Sequence, residues 1–271
     1  MTTRVSFCTT CRNRLHHLQE TLPKNLKDNE TYPEVEFVIV DYDDQTGMEE
    51  WAKKTLDLQI RTGRVVYVKV RGMGRFKRSH AKNIGHLMAT GDIQVNVDAD
   101  NFTGKDSATA IAKAYEEAGP RLLICVPDSL HHGPSLYGRV GLGKYFFKEL
   151  RGYDETMEKW SLEDNDLCHR AIQRGGALRH VATEGCSAIE HSVEERASDT
   201  TVKYDPFSYQ QQVRETLRHR RRTDPKGLLV NPKGWGQATV WKNFDNDTPI
   251  TIGFGPGRLP EWKVELVGLK P

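Results

Sequence analysis

Short apolar runs alternate with longer amphipathic segments through the first half of the chain. Runs of four to six residues are typical of buried strands, whereas apolar residues repeating every three or four positions indicate helices. The runs predict strands at Val5–Cys8, Val35–Val40, Val65–Val70, Ile93–Val97 and Leu122–Val126. The helical periodicity predicts helices at Arg14–Leu26, Met48–Leu58, Ser79–Ala89 and Ser107–Ala118. Repeated strand–helix units predict an α/β fold with a mixed, mostly parallel sheet flanked by helices.

The pattern changes in the second half of the chain. A strand or turn is predicted at Tyr137–Leu150, and a helix at Asp164–Arg174. Residues 225–271 are rich in proline and glycine, which is typical of short strands and loops. We therefore predict a main domain at 1–200. A basic helical segment and short strands at 201–271 form a C-terminal extension packed on it.

Charge and composition exclude few functions. Lys and Arg total 39 against 37 Asp and Glu, so the net charge of +2 does not require a polyanionic partner. No run of 18 apolar residues occurs, so we expect no membrane segment and a cytoplasmic protein. The five cysteines are scattered and do not resemble a disulfide framework. Cys8 and Cys11 form a C-x-x-C without the second pair that a structural zinc site needs.

Two aspartates follow the predicted strand at Ile93–Val97. Asp98 and Asp100 flank Ala99, and residues two apart in an extended chain point to the same side. Two carboxylates so placed can hold a hard divalent cation, such as Mn²⁺ or Mg²⁺, against a phosphate. The alternative is a solvated turn, since turns also favour aspartate.

Two further polar groups lie beside other strands and helices. Asp41 follows the strand at Val35–Val40, and ligands of parallel sheets bind at such strand ends. The basic loop 75–78 leads into the helix that carries Lys82 and Asn83, an arrangement suited to a diphosphate. The alternatives are an acidic turn and a solvated charged surface.

The segment Trp160–Asp166 is densely acidic. Carboxylates placed so close together raise one another's pKa, and one of those in this segment could take a proton from an attacking hydroxyl. The alternative is that an acid here caps the following helix. His191, after a short apolar run, is a candidate metal ligand, although lone histidines are usually structural or surface residues.

Taken in order, these segments resemble the GT-A glycosyltransferases, in particular the family 2-like enzymes. The resemblance covers about residues 4–195. It rests on Thr9-Thr10 after the first strand and on V-I-V-D-Y-D-D, S-H-A-K-N-I-G, A-T-G-D-I-Q-V-N-V-D-A-D-N-F, Y-G-R-V, R-G-Y-D-E and W-S-L-E-D-N-D-L. The D-A-D element corresponds to a DxD motif, and the last segment also resembles the W-G-x-E-D-D-D segment of galactosyltransferases. The resemblance implies an inverting transfer from a nucleotide sugar, most often UDP-linked, with Mn²⁺ or Mg²⁺.

The resemblance also implies a role for each matching residue. The residues that would bind the nucleotide sugar are Thr9, Arg12, Asp41, Lys82, Asn83, Asp98 and Trp160. The metal ligands would be Asp100, His191 and Asp98. Asp164 would be the general base, and Glu163 would bind the acceptor or support the base. Many relatives have arginine where Lys82 stands, and lysine lacks arginine's bidentate geometry.

The acceptor and the function class stay open at this point. Residues 203–226 are basic and include Arg218, Arg220, Arg221 and Arg222. A phosphate-backbone contact there would suit a hydroxymethylated pyrimidine in DNA as the acceptor. A glycan, an anionic lipid or a solvated surface are the alternatives.

Two other function classes remain. A sugar-phosphate nucleotidyltransferase would need a glycine-rich loop after the first strand, and Cys8–Arg14 contains no glycine. A non-catalytic module that binds nucleotide sugars or glycans would release no UDP from UDP-sugars.

Overall fold

Most of the strands and helices predicted for the first half of the chain are present. The computed structural model describes residues 2–125, 136, 138–157, 162–190, 206–224 and 230–256. Its strands are β1 Val5–Cys11, β2 Val35–Tyr42, β3 Val65–Val70, β4 Ile93–Asn96, β5 Asn101–Phe102, β6 Leu122–Cys125, β7 Gly141–Gly143, β8 Ala177–His180, β9 Ser187–Ala188, β10 Trp235–Lys242 and β11 Ile250–Phe254. Its helices are α1 Leu15–Asp28, α2 Met48–Thr55, α3 Asp57–Arg61, α4 Arg78–Met88, α5 Ser107–Ala118, α6 Lys144–Glu149, α7 Glu163–Gln173 and α8 Pro206–Thr223.

The main sheet is mixed, as the strand–helix pattern predicts. Within the described residues it has nine strands in the order β11-β10-β3-β2-β1-β4-β7-β6-β8. Strands β3, β2, β1 and β4 are mutually parallel, and β6 is parallel to β8. Among the described strands of this sheet, β7 and β10 point in one direction and the other seven in the opposite direction.

Helices cover both faces of the sheet because its central strands are apolar on both sides. Alternate residues of β1 illustrate this: Phe7 packs in the core that contains α1 and α5, whereas Cys8 packs in the core that contains α4. All residues of β1 and β2 are buried, as expected for strands covered on both faces. A third apolar cluster joins α6 and α7 to β6 and β7.

The single helix predicted at Met48–Leu58 is instead two short helices. Leu56 lies between α2 and α3 with φ −112° and ψ 9°, outside helical geometry. Its side chain is buried in the core, at 2 % exposure. Leu56 and Ile60 both face the sheet. The spacing of apolar residues in the sequence therefore continues across the break between α2 and α3.

The C-terminal strands extend the main sheet. Strand β10 pairs with β3 in antiparallel register, with Val240 opposite Val70, and β11 pairs with β10. Trp235 in β10 stacks on Phe254 and contacts Phe147 of α6 edge to face. The described part of residues 230–256 is therefore built into the same sheet as residues 5–180.

A two-stranded ribbon lies beside the aspartate pair. Strands β5 and β9 pair antiparallel, with Asn101 opposite Ala188. The amide of Ile189 donates to the carbonyl of Asp100 at 2.8 Å. The ribbon therefore brings residues 187–189 to the turn that carries Asp98 and Asp100. Among the described helices, none is long and apolar enough to cross a membrane.

Candidate active site

The carboxyl ends of three parallel strands converge at one edge of the main sheet. In the β1–β2 register, Cys11 lies opposite Asp41. On the other side of β1, the amide of Val97 donates to the carbonyl of Cys8 at 2.9 Å, which places Asp98 just beyond the end of β4. Two of the acidic positions that the sequence singles out thus flank the end of β1.

A buried ion cluster lies between α4 and α7. The ammonium group of Lys82 donates to Oε1 of Glu163 at 3.0 Å and to both oxygens of Asp164, at 2.8 and 3.0 Å. The Lys82 and Glu163 side chains are each 4 % exposed, and that of Asp164 is 16 % exposed. Helix α7 starts without a side-chain cap, so these acids face Lys82 instead of capping the helix.

The ion cluster has a strongly perturbed protonation equilibrium. Burial raises the pKa of Asp164 to about 7, and the positive charge of Lys82 opposes that rise. The charges of Glu163 and Asp98 raise the pKa of Asp164 further. Conversely, the surrounding carboxylates hold the pKa of Lys82 well above its usual value in spite of burial. Asp164 therefore titrates near neutral pH, as a proton acceptor in catalysis should.

Replacing Lys82 with methionine is expected to move the acid limb of the activity–pH profile to higher pH. Lys82 lowers the pKa of Asp164, so its loss raises that pKa and leaves less carboxylate at a given pH. An opposite charge at this distance typically shifts a carboxyl pKa by about one to three units. Initial rates measured from about pH 5 to 9.5 give the position of the acid limb of the profile. Lys82→Arg, which keeps the positive charge, is the control. An unchanged limb in Lys82→Met would contradict this role of Lys82.

Each carboxylate of the aspartate pair accepts a hydrogen bond from a neighbouring asparagine. Asp98 Oδ1 accepts from Asn96 Nδ2 at 3.0 Å, and Asp100 Oδ1 accepts from Asn101 Nδ2 at 2.7 Å. A methyl group on Gly138 would lie 2.3 Å from Asp98 Oδ2, so the glycine gives this carboxylate its space. Hard carboxylate donors fit Mn²⁺ or Mg²⁺. Within the described residues, these two acids are not joined by a third side chain in a complete metal-binding group.

Arg139 is a component of the site that the sequence did not single out. Its side chain is buried and donates to the carbonyl of Phe102 at 2.7 Å and to the sulfur of Cys186. Burial lowers its pKa, whereas the charges of Asp98 and Asp100 raise it. Arg139 therefore ties the β5–β9 ribbon together and places a positive charge beside the aspartate pair. The Y-G-R-V segment contains Arg139, but nothing in that pattern identified its partners.

Asp41 is fully buried and saturated with hydrogen bonds. Arg71 donates to both its oxygens, at 2.8 and 2.9 Å, in a bidentate pair. The hydroxyl of Tyr67 and the amide of Asp44 also donate to it. A nucleobase that contacted Asp41 would have to displace Arg71. The predicted contact of Asp41 with the base stays a prediction. Arg71 is the ion-pair partner of Asp41 in the candidate site.

The other residues predicted to bind the nucleotide sugar differ in the polar groups that they could offer to a ligand. Asn83 is buried, and its amide bonds to the backbone of Tyr153 and to Glu155, so in this structure it supports a loop and presents no open group to a ligand. Thr9 is buried within β1. Arg12, half-buried at the end of β1, donates through Nη2 to the carbonyl of Gly74 at 2.7 Å.

Some predicted residues lie outside the described parts of the chain. They are Trp160, His191 and the side chains of Arg220 and Arg221. Arg218 lies on the exposed side of α8. The same helix packs through Leu217 against Met157 and Leu162, and Leu162 directly precedes Glu163. The basic helix is thus anchored next to the acidic end of α7.

Comparison with known proteins identifies one family. A family model described as glycosyl transferase family 2 matches residues 6–177, more than half of the chain. Among curated protein sequences, none matches this chain significantly.

Solved structures with the same fold include three informative examples. One is the mannosyltransferase PcManGT from Pyrobaculum calidifontis in complex with GDP-Man and Mn²⁺, at 19% identity and a TM-score of 0.53. The alignment covers 70% of this chain and 57% of that enzyme, so this chain spans little more than half its length. S. aureus TarS 1-349 with UDP-GlcNAc is 16% identical, with a TM-score of 0.58 and coverages of 79% and 65%. TarS 1-349 alone is 15% identical, with a TM-score of 0.54 and coverages of 84% and 75%. At these identities the likeness establishes the shared GT-A fold.

Proposed function

Since this chain belongs to glycosyl transferase family 2, we propose that it is an inverting enzyme that moves a sugar from a nucleotide sugar, UDP-linked, to an acceptor hydroxyl. The observation that carries the proposal is the buried contact of Lys82 with Glu163 and Asp164, beside Asp98 at the carboxyl ends of the strands. The site thus combines Asp164, a base that titrates near neutral pH, with nearby carboxylates such as Asp98 that suit a divalent cation. A sugar-phosphate nucleotidyltransferase is disfavoured by the family match.

The donor side of the site consists of the ends of β1 and β4 and the loops beside them. Asp98 and Asp100 would hold Mn²⁺ or Mg²⁺, and His191 is the proposed third protein ligand. When bound, the cation stabilises the negative charge that develops on the departing diphosphate. Thr9, Arg12 and Asp41 would line the nucleotide, and Lys82 would lie between the diphosphate and Asp164. Trp160 is proposed as an apolar wall for a sugar or acceptor ring.

The proposed reaction is a single displacement. The acceptor hydroxyl oxygen attacks the anomeric carbon, and the bond from that carbon to the diphosphate oxygen breaks with its electron pair leaving on the nucleotide. The hydroxyl proton passes to the Asp164 carboxylate, while Glu163 and Lys82 fix the orientation of that group. Attack opposite to the leaving group inverts the anomeric centre. No protein nucleophile is needed, and only one base is used.

A panel of nucleotide sugars tests the donor half of the proposal. UDP-, GDP- and other activated sugars are incubated with the protein with and without Mn²⁺, and released nucleotide is measured. The proposal expects metal-stimulated release from one or a few donors, UDP-sugars first. A non-catalytic binding module would give no release from any donor under any condition, and that result would reject the proposal.

We propose that the acceptor is a hydroxymethylated pyrimidine in DNA. Arg214, Arg218 and Arg222 are exposed and spaced four residues apart on α8, so they form a stripe along one side of the helix. They form no ion pair with a residue that the structure describes. Leu217 anchors this helix beside the acidic end of α7. A phosphate backbone held by the stripe would bring a hydroxymethyl group toward Asp164, after the base is flipped from the stack.

Replacing Arg214, Arg218 and Arg222 together with glutamine is expected to weaken binding to hydroxymethylated DNA. Each lost phosphate contact should lower the slope of log affinity against log salt by about 0.9. Fluorescence anisotropy between about 50 and 200 mM salt measures both quantities. The control replaces Arg61 and Lys113, exposed cations elsewhere on the surface, with glutamine. Equal binding by wild type and stripe variant, or transfer to simple glycans alone, would reject DNA as acceptor.

A further inference from the structure

The loop between α6 and α7 is held by a residue from the far end of the chain. Asn231 donates from Nδ2 to the carbonyls of Arg151 and Tyr153, at 2.7 and 2.8 Å. Its Oδ1 accepts from the amide of Glu155 at 2.9 Å. One buried side chain thus makes three hydrogen bonds to the backbone of residues 151–155. Asn231 is 4 % exposed, so these bonds are shielded from water.

The contact between this loop and residue 231 is reciprocal. The guanidinium of Arg151 donates to the carbonyl of Asn231 at 2.7 Å. Both residues have left-handed backbone geometry, with φ of 61° for Arg151 and 51° for Asn231. Asparagine tolerates that conformation better than most residues, so its presence at 231 suits both the backbone and the side-chain contacts.

A second contact ties the same loop to helix α4. Glu155 Oε1 accepts from Asn83 at 2.8 Å and from the amide of Gly236 at 2.7 Å. The Asn83 side chain also bonds to both the amide and the carbonyl of Tyr153. Residues 153–155 are therefore fixed between α4 on one side and residues 231–236 on the other.

The fixed loop reaches the ion cluster through Tyr153. The Lys82 ammonium lies 5.2 Å from the centre of the Tyr153 ring, within the range of a cation–π contact. The Tyr153 backbone is held by Asn231 and Asn83, and its ring sits against the lysine that pairs with Asp164. A continuous set of contacts therefore runs from residue 231 to the proposed base.

We propose that Asn231 is a positioning residue for catalysis: by fixing the backbone around Tyr153 it holds Lys82 against Asp164. The inference rests on the proposed function of the Lys82–Asp164 pair and deepens it. It assigns to residues 230–236, which lie beyond the family match, a part in building the active site. It also explains why these residues pack onto α4 and the loop 151–155.

The test compares Asn231→Gly with Asn243→Gly. Glycine keeps the left-handed backbone without strain and removes the side-chain bonds. Asn243 is the matched control, because it also has a positive φ, of 52°, and accepts from the amide of Tyr67 with its side chain. We expect Asn231→Gly to lower kcat by about tenfold to a hundredfold with little change in donor KM, since small misplacements of reacting groups are costly. Asn243→Gly should lower Tm while leaving kcat unchanged.

A second measurement does not depend on turnover. The pKa of Asp164, followed by carboxyl ¹³C NMR, should shift in Asn231→Gly and stay at its wild-type value in Asn243→Gly. An unchanged pKa together with an unchanged kcat would overturn the inference. If wild type transfers no sugar, the proposed function fails, yet the NMR shift still tests the positioning role. If Asn231→Gly does not fold, Asn231→Ser takes its place in the test. Serine retains one hydrogen-bonding group, so we expect the Asp164 pKa and kcat to change in the same directions by smaller amounts.

Discussion

Replacing Asp164 with asparagine is expected to lower sugar transfer by about 10²- to 10⁴-fold, the usual contribution of a general base. Asparagine has nearly the same shape and can still accept a hydrogen bond from Lys82, but it cannot take the acceptor proton. Donor binding should change little, because Asp164 acts on the acceptor. Calorimetric titration with the donor, alongside single-turnover transfer rates, separates the two effects.

Asp166 provides the matched control for that prediction. It lies in the same first turn of α7 and pairs with Arg170 at 2.8 Å, whereas the ammonium of Lys82 bonds to Glu163 and Asp164. Asp166→Asn should reduce Tm, since it weakens a buried ion pair, while transfer per folded molecule stays within a few-fold of wild type. Equal losses of transfer in the two variants would show that the effect is structural and would remove Asp164 as the base.

Replacing Asp100 with alanine is expected to abolish metal-stimulated transfer. We propose Asp100 as the stronger of the two metal ligands after β4, and its loss leaves Asp98 as the one carboxylate of the pair. Loss of charge stabilisation on the departing diphosphate should cost at least about 10²-fold in rate. Mn²⁺ affinity, measured by water-proton relaxation in the presence of UDP, should fall in parallel. Transfer that persists at the wild-type rate would make the metal assignment wrong.

The control for Asp100 lies at the opposite end of the same strand. Asp92 precedes β4 and accepts from the amide of Arg4 at 2.8 Å. Asp92→Ala removes an exposed carboxylate from the amino end of β4 and should leave both Mn²⁺ affinity and transfer unchanged. A loss of Mn²⁺ binding in this variant as well would indicate that the measurement reports general surface charge.

Periodicity was sufficient to predict most strands and helices of the first half of the chain. Strand β3 and helix α5 have the predicted bounds, and the others differ by up to about three residues apart from the break at Leu56. The β5–β9 ribbon escaped prediction because strands of two residues carry no periodicity. Strand β10 was predicted only as one of several short strands. Its antiparallel pairing with β3 depends on contacts between residues about 170 positions apart.

The residue types, and their positions at the ends of predicted strands, indicated which side chains belong to the candidate site. They did not indicate which groups these side chains bond to. Lys82 was predicted beside the diphosphate, whereas in the structure its ammonium bonds to Glu163 and Asp164, 81 and 82 residues away in sequence. Arg139 and Asn231 were missed for the same reason. Their partners are largely backbone groups, and a sequence pattern does not record which carbonyl a side chain will reach. Packing of distant segments decides such contacts.

The pairing of β10 with β3 also has a consequence for synthesis of the chain. Until residues 235–242 leave the ribosome, β3 is the outer strand of the parallel half-sheet and exposes its unpaired backbone groups. At about 5–20 residues per second, this interval lasts roughly 10–30 s. During that time the nascent sheet has an open edge to which a second chain can add. Strands β10 and β11 therefore cover this edge, and until they have been synthesised the nascent sheet is exposed to aggregation.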